Sequence, residues 1–223
     1  MMILKAENIS KTFLRKKNDS NFFYAVHPID FEIEEGAFIE IYGKSGSGKS
    51  TFLNMLSGLL KPTEGKVFFD GTDLYSLDDK SLSFLRNQKT GVVPQCHAEL
   101  SSLTVLENIL LPSQLYGDKE DKTNEALNLL EKFSISDLAQ AKPSELSGGE
   151  LRRMSIARAL IQNPKIIFAD EPTGDLDGEN TEAVLKYLKQ LTGKGLTVVM
   201  VTHEKDAEKY ADKIYKLDAG YLS

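Results

Sequence analysis

Cysteine is almost absent. Cys96 is the only one in 223 residues, so no internal disulfide can form, and the chain fits a reducing compartment. Long apolar runs are missing too. No stretch approaches the roughly 18 apolar residues that read as a membrane-spanning helix. Met1 to Asn8, with Lys5 and Glu7 among its apolar residues, lacks the continuous apolar stretch expected of a signal peptide. A basic surplus is also lacking: 27 Lys and Arg stand against 33 Asp and Glu, a formal net charge of -6, which argues against a dedicated nucleic-acid binder. There is no internal repeat and no low-complexity linker. The remainder is ordinary for a globular chain, with 41% hydrophobic and 27% charged residues. A chain of this size buries about 70% of its unfolded surface, enough for one large α/β domain or a core with an inserted lobe.

Periodicity sets out the elements. Met2–Ile9 reads as a strand, Lys11–Asn21 (with Lys11, Arg15, Lys16 and Lys17) as an exposed polar hairpin loop, and Tyr24–Glu34 as an antiparallel strand with Val26, Ile29, Phe31 and Ile33 apolar. Ala37–Tyr42 is a short apolar run, expected to be a buried strand leading into a glycine-rich loop. Lys49–Leu60 has helical spacing; Lys66–Asp70 and Gly91–Val93 read as strands. From about residue 97 to 159 helices take over. Thr104 with Glu107 and Ser147 with Glu150 form capping-box signatures, and Lys119–Phe133 carries apolar residues at helical spacing. Ile166–Ala169, Leu196–Val201 and Lys213–Leu217 then read as strands, with helices over Glu179–Leu191 and His203–Ala211. Strands separated by crossover helices imply a mainly parallel sheet. The expected architecture is one α/β domain over residues 1–223. Its core comprises 1–95 and 160–223 and includes an N-terminal antiparallel region; a helical subdomain spans about 97–159.

Gly43, Lys44, Ser45, Gly46, Ser47, Gly48, Lys49 and Ser50, followed by Thr51, fit the phosphate-binding loop pattern in full. Glycines let the backbone wrap phosphate oxygens with N–H groups inward, and the following helix aims its positive end at the same charge. Lys49 adds a point charge at the β- and γ-phosphates, and the Ser50 hydroxyl is the expected Mg²⁺ ligand. A flexible Gly/Ser turn would have the same composition, but the strand before and the amphipathic helix after are what the motif requires. Asp170 and Glu171 end an apolar run, where an open α/β sheet places its ligands. Asp170 there can hold Mg²⁺, and Glu171 can act as general base on a water; the bland reading is a solvated loop start.

Leu146, Ser147, Gly148, Gly149 and Glu150 make a second glycine-opened helix start, a potential anion site as well as a cap. This stretch resembles the signature motif of the ABC ATPases, and the resemblance runs from Ile3 to Leu222 with every motif in order. It implies a P-loop NTPase core of the RecA type that binds ATP with Mg²⁺. It also implies two copies closing head to tail, the signature of each reaching the γ-phosphate on the other. Gln95 sits at the Q-loop position, near Mg²⁺ and the attacking water; His203 matches the switch histidine and Asp177 the D-loop aspartate that crosses the dimer interface. Phe13 fits the adenine-stacking aromatic, with Tyr24 as its rival. Pro94 and Cys96 flank Gln95 where many relatives have aromatics, and His97 is unusual there, which alters the surface near the partner groove.

The stretch from Leu85 to Lys89, and that from Ala169 to Gly174, resemble a branch of lipoprotein-releasing, macrolide- or peptide-exporting and cell-division ATPases. That resemblance implies an ATPase on the cytoplasmic face of the membrane, bound to an integral membrane subunit and serving export or extraction of a peptide, lipoprotein or drug. The alternative is regulatory signalling through a membrane protein without transport. Neither the paired domains of ribosome-acting relatives nor the inserted coiled coils of DNA-acting ones are present.

Overall fold

A computed structural model describes residues 1–14, 22–96, 98–116, 120–203 and 207–223 of the chain. The order begins β1 (Met2–Leu14), β2 (Phe22–Glu34), β3 (Phe38–Tyr42), α1 (Lys49–Leu56), β4 (Glu64–Phe69) and β5 (Thr72–Asp73). It continues with α2 (Asp79–Lys89), β6 (Thr90–Val93), α3 (Val105–Gln114), α4 (Thr123–Lys132), α5 (Gly148–Leu160) and β7 (Ile166–Asp170). Last come α6 (Gly178–Thr192), β8 (Thr197–Thr202), β9 (Lys213–Asp218) and β10 (Tyr221–Leu222).

Two sheets organise the chain. One is antiparallel, in the order β2-β1-β4-β5; the other runs β10-β9-β3-β8-β7-β6 and is parallel except at β10. The core strands are apolar on both faces because both faces are covered. Along β7 and β8, Ile166, Phe168, Val199 and Val201 pack with Phe52 of α1 and the antiparallel sheet. The alternate residues Ile167, Ala169, Val198 and Met200 pack instead with the helical side, including Ile109, Met154 and Leu185. Period-two alternation therefore builds two cores separated by one sheet.

Several elements differ from the expected bounds. The polar segment from Lys11 continues β1 to Leu14, paired with Phe22–Val26 of β2, because ladder hydrogen bonds compensate for the weak apolar pattern. Residues 15–21 of the expected loop, and with them Arg15, Lys16 and Lys17, lie outside the described residues. Apolar spacing in β2 slips between Val26 and Ile29, opposite Lys11 and Ile9, so β2 holds an extra residue and bulges where Pro28 can give no ladder hydrogen bond. Helix α1 stops at Leu56 rather than Leu60. Gly58 turns left-handed (φ 75°), and the amides of Leu59 and Leu60 return to the Asn54 carbonyl. The helix expected from residue 119 begins at Thr123, with 117–119 outside the description. Of the helix expected over 203–211, Ala207–Ala211 forms one hydrogen-bonded turn, and 204–206 are not described. Helix α2 is not among the expected elements: none of its residues is fully buried, and only Leu82 and Leu85 pack against the core, a stripe too narrow to mark a helix in the sequence.

Candidate functional site

The glycine-rich loop leaves the carboxyl end of β3, with the Gly43 amide bonded to Thr202 O (3.2 Å) beside the end of β8. Two of its glycines are required by close approach. A Cβ at Gly43 would lie 2.1 Å from Leu217 O, and one at Gly48 would lie 2.2 Å from Ala25 O, where φ is 102°. Gly48 is also the N-cap of α1, so the loop's left-handed residue and the helix start coincide. Lys49 is 6% exposed, and its Nζ donates to the carbonyls of Gly43 (2.7 Å) and Lys44 (3.0 Å). Ser47 Oγ is buried without a hydrogen-bond partner among the described residues.

A cleft of about 460 Å³ opens over this loop. Ser45, Gly46, Gly48, Lys49, Ser50 and Thr51 line it, joined by Phe13, Tyr24, Gln95 and Glu171. Gly43, Lys44 and Ser47 form the loop beneath, not the lining. Phe13 lies 6.0 Å from the Phe23 ring and 5.4 Å from Lys11 Nζ. Tyr24 stacks on His27 (4.6 Å), which stacks on Tyr221 (3.9 Å). Both candidate aromatics therefore face the same cleft. Phe23, Ala25, Ala219 and Gly220, which belong to none of the sequence motifs, complete the wall. A larger groove of about 870 Å³ between the antiparallel sheet and the C-terminal strands touches none of the motif residues.

Asp170 ends β7 at 7% exposure. Burial raises its carboxyl above the ordinary aspartate value; the Ser50 hydrogen bond and the charges of Lys49 and Arg152 oppose the rise, while Glu171 adds to it. Its Oδ1 is buried without a hydrogen-bond partner among the described residues. A buried carboxyl of this kind, with a serine hydroxyl bonded to it and an open oxygen, fits a hard cation. Mg²⁺ takes one or two protein oxygens and completes its shell with phosphate and water. Glu171 follows with φ 48°, its amide bonded to Val201 O (2.8 Å) and its Oε1 3.2 Å from His203 Nδ1. Glu171 and His203 also line a second cleft of about 290 Å³ together with Thr173, Gly174 and Thr181.

Ser147 lies apart from this group. It caps α5 with a reciprocal box: the amide and hydroxyl of Ser147 each donate to Glu150 Oε2 at 2.7 Å, and the Glu150 amide donates back to Ser147 Oγ at 3.4 Å. These bonds hold the Glu150 carboxyl below its usual value. Ser147 and Gly148 are exposed, Gly149 and Glu150 half-buried, and none of the four lines the cleft over the glycine-rich loop. Asp177 is the exposed N-cap of α6, accepting from the Asn180 amide (2.9 Å) and Nδ2 (2.8 Å), which lowers its pKa. Cys96 is exposed beside Gln95, and His97 lies outside the described residues.

Two residues went unforeseen. Arg152 of α5 is 5% exposed, and its guanidinium donates to Pro94 O, Gln95 O and Asp175 Oδ2. Only the odd presence of Arg and Asp at these positions could have flagged them, since α5 is buried on most sides and offers no polar stripe to read.

Comparison with known proteins agrees with this geometry. The family model described as "ABC transporter" matches residues 26–174. The lipoprotein-releasing system ATP-binding protein LolD of Aquifex aeolicus is 40% identical over 219 residues, covering 98% of this chain and 95% of that one. The ABC transporter ATP-binding protein MJ0796 of Methanocaldococcus jannaschii is 40% identical over 226 residues, covering 98% and 94%. Its dimeric cassette structure superposes with a TM-score of 0.91 at 38% identity, covering 99% of this chain and 98% of that one. A second structure of that cassette, dimeric in a post-hydrolysis state bound to ADP and Pi, gives 0.90 at 36% identity with the same coverage. Among the described residues, no helix is long and apolar enough to cross a membrane. With a complete phosphate-binding loop, an acidic pair at the end of β7 and full-length relatives of one kind, the chain belongs to the ABC transporter family and is an ATP-hydrolysing cassette.

Proposed function

We propose that two copies of this chain close head to tail on two ATP molecules, and that hydrolysis lets them reopen and so drives an integral membrane partner at the cytoplasmic face. The backbone from Gly43 to Thr51 cradles the phosphates, and Lys49 turns from its loop carbonyls to the β- and γ-phosphates. Phe13, or its neighbour Tyr24, stacks on adenine. Ser50, Asp170 and Gln95 would hold Mg²⁺, which, when bound, draws charge from the phosphate oxygens. Glu171 accepts a proton from the water that attacks the γ-phosphorus; the new P–O bond forms as the bond to ADP breaks, leaving ADP and phosphate. His203 donates to a γ-phosphate oxygen. Ser147, Gly148, Gly149 and Glu150 of the second copy present their helix start to the same phosphate, and Asp177 crosses the interface.

The observation that carries this reading is the separation of two helix starts on one chain. One, at Gly48, lines the cleft with Lys49, Gln95 and Glu171; the other, at Ser147, is capped, exposed and outside it. A second chain is the natural owner of the missing contact. The helical lobe at about 97–159 carries the motion to the partner. By likeness to the lipoprotein-releasing relative, that partner extracts or exports a lipoprotein, peptide or drug, and no nucleic acid takes part.

Glu171→Gln tests the chemistry. It keeps the shape and a hydrogen bond toward His203 but removes the base, so turnover should fall by about 10²- to 10⁴-fold. ATP should still bind, and light scattering should show a persistent dimer. Turnover equal to the parent's would remove Glu171 from the role assigned. Co-purification with a membrane subunit, followed by a flux assay, separates transport from signalling.

A further inference from the structure

Arg152 ties three functional segments of one chain together. It lies in the second turn of α5, five positions after Ser147, and is 5% exposed. A buried cation requires close partners. One Nη donates to Pro94 O at 2.8 Å; the other donates to Gln95 O at 2.9 Å and to Asp175 Oδ2 at 2.8 Å. The two carbonyls belong to consecutive residues, so the planar fork grips the chain at the point where it leaves β6 and Gln95 enters the cleft. Asp175 stands two residues before Asp177, the cap of α6. The signature turn is packed against the same segment: a Cβ at Gly149 would sit 3.2 Å from Asp175 O. A lysine has three donors but on a single nitrogen, so it lacks the planar fork that spans these acceptors from two nitrogens.

We propose that Arg152, oriented by Asp175, is a positioning residue for Gln95 that links the signature helix to the hydrolytic cleft. Asp175 is the outer, half-exposed end of the clamp (43% side-chain exposure), and Arg152 transmits its hold to the Gln95 backbone. The inference rests on the role given to Gln95 above. Any shift of the α5 N-terminus on meeting a second copy pulls on the carbonyl of the residue that faces the attacking water.

The test uses the full-length protein with Asp175→Asn, Arg152→Lys, Gln95→Ala and the double variant Asp175→Asn/Gln95→Ala. Steady-state ATPase, ATP affinity by calorimetry and thermal unfolding are measured on each. Asp175→Asn and Arg152→Lys should lower kcat by about 3- to 30-fold, inside the roughly 2- to 150-fold that a coupled pair spans. ATP affinity should stay within about twofold of the parent's in both, since neither residue lines the cleft. In the Gln95→Ala background, Asp175→Asn should cause no further loss of kcat. Asp175→Asn exchanges a half-exposed carboxylate for its isostere and carries the test even if Arg152→Lys folds poorly. The proposal is overturned if kcat is unchanged in Asp175→Asn, if the double variant shows fully additive losses, or if ATP affinity falls in parallel with kcat. A parent protein that binds ATP yet never hydrolyses it would instead sink the catalytic reading, before any variant is compared.

Discussion

Replacing Ser147 with alanine removes a hydroxyl to which two roles are assigned, and the two carry different magnitudes. Within the chain, the hydroxyl accepts from the Glu150 amide at 3.4 Å and donates to Glu150 Oε2 at 2.7 Å, while the Ser147 amide holds the same oxygen at 2.7 Å. Alanine keeps the last bond and loses the first two, one of them long. The cost therefore sits at the lower end for a lost cap, about 0.5–1 kcal/mol. In a domain of this size that lowers Tm by about 1–4 °C. Between copies, the same hydroxyl is assigned a hydrogen bond to a γ-phosphate oxygen. Hydrogen bonds to charged groups contribute about 1.5–3 kcal/mol, so turnover should fall roughly 10- to 150-fold. Phosphate release at 25 °C reads the second effect, far below unfolding, and calorimetric unfolding without nucleotide reads the first. The Glu150 carboxyl is held down by these bonds, so its contribution to stability is present above the ordinary glutamate value and is lost as pH falls through the depressed one. The Tm gap between parent and Ser147→Ala should accordingly narrow below about pH 4. Turnover within twofold of the parent, alongside a lowered Tm, would make Ser147 a cap and nothing more, and the two-copy sandwich would lose its main support.

Asp170→Asn should raise the Tm of the nucleotide-free protein at pH 7 while ending hydrolysis. Burial raises the Asp170 pKa, so folded stability drops as pH rises from the ordinary aspartate value through the raised one; scanning fluorimetry should show the variant's advantage vanish in acid. An Asn variant that melts below the parent at pH 7 would contradict this. Gly48→Ala places a Cβ 2.2 Å from Ala25 O at φ 102°, so the loop must shift and ATP affinity should fall at least tenfold by calorimetry. Parent-like affinity would show the loop tolerates a side chain there. Phe13→Ala should weaken ATP by about 3- to 10-fold, a stacking contact's worth, and Tyr24→Ala by less, because Tyr24 is already stacked on His27. The reverse order, measured with a fluorescent ATP analogue, would give the adenine contact to Tyr24.

The parts of the fold that were legible are those where one physical signal dominates. Ile166–Asp170 and Thr197–Thr202 are buried throughout, so their apolar runs had little other reading. Thr104 and Ser147 each start a helix at the residue their capping boxes indicate. Signals failed where tertiary pairing overrode local pattern. Lys11 and Thr12 read as loop but are held in β1 by pairing with Val26 and Tyr24. Glu40 sits fully buried inside a strand read simply as apolar, with its Oε1 3.4 Å from the Ala207 amide. Within the site, each motif residue could be read from its own local pattern. Arg152 and Asp175 could not, because their meaning lies in a bond across 23 positions of sequence.

The left-handed backbone at Glu171 (φ 48°) has an evolutionary corollary. A glutamate there occupies a conformation that glycine or asparagine adopts with less strain. Beside it, burial raises the Asp170 carboxyl above the ordinary aspartate value. On the roles proposed for these two acids, a laboratory selection that rewards heat tolerance alone would drift toward glycine or asparagine at position 171 and asparagine at 170, yielding sturdier proteins that no longer turn over ATP. Retaining the acids through such a drift requires a screen that scores work done, not survival.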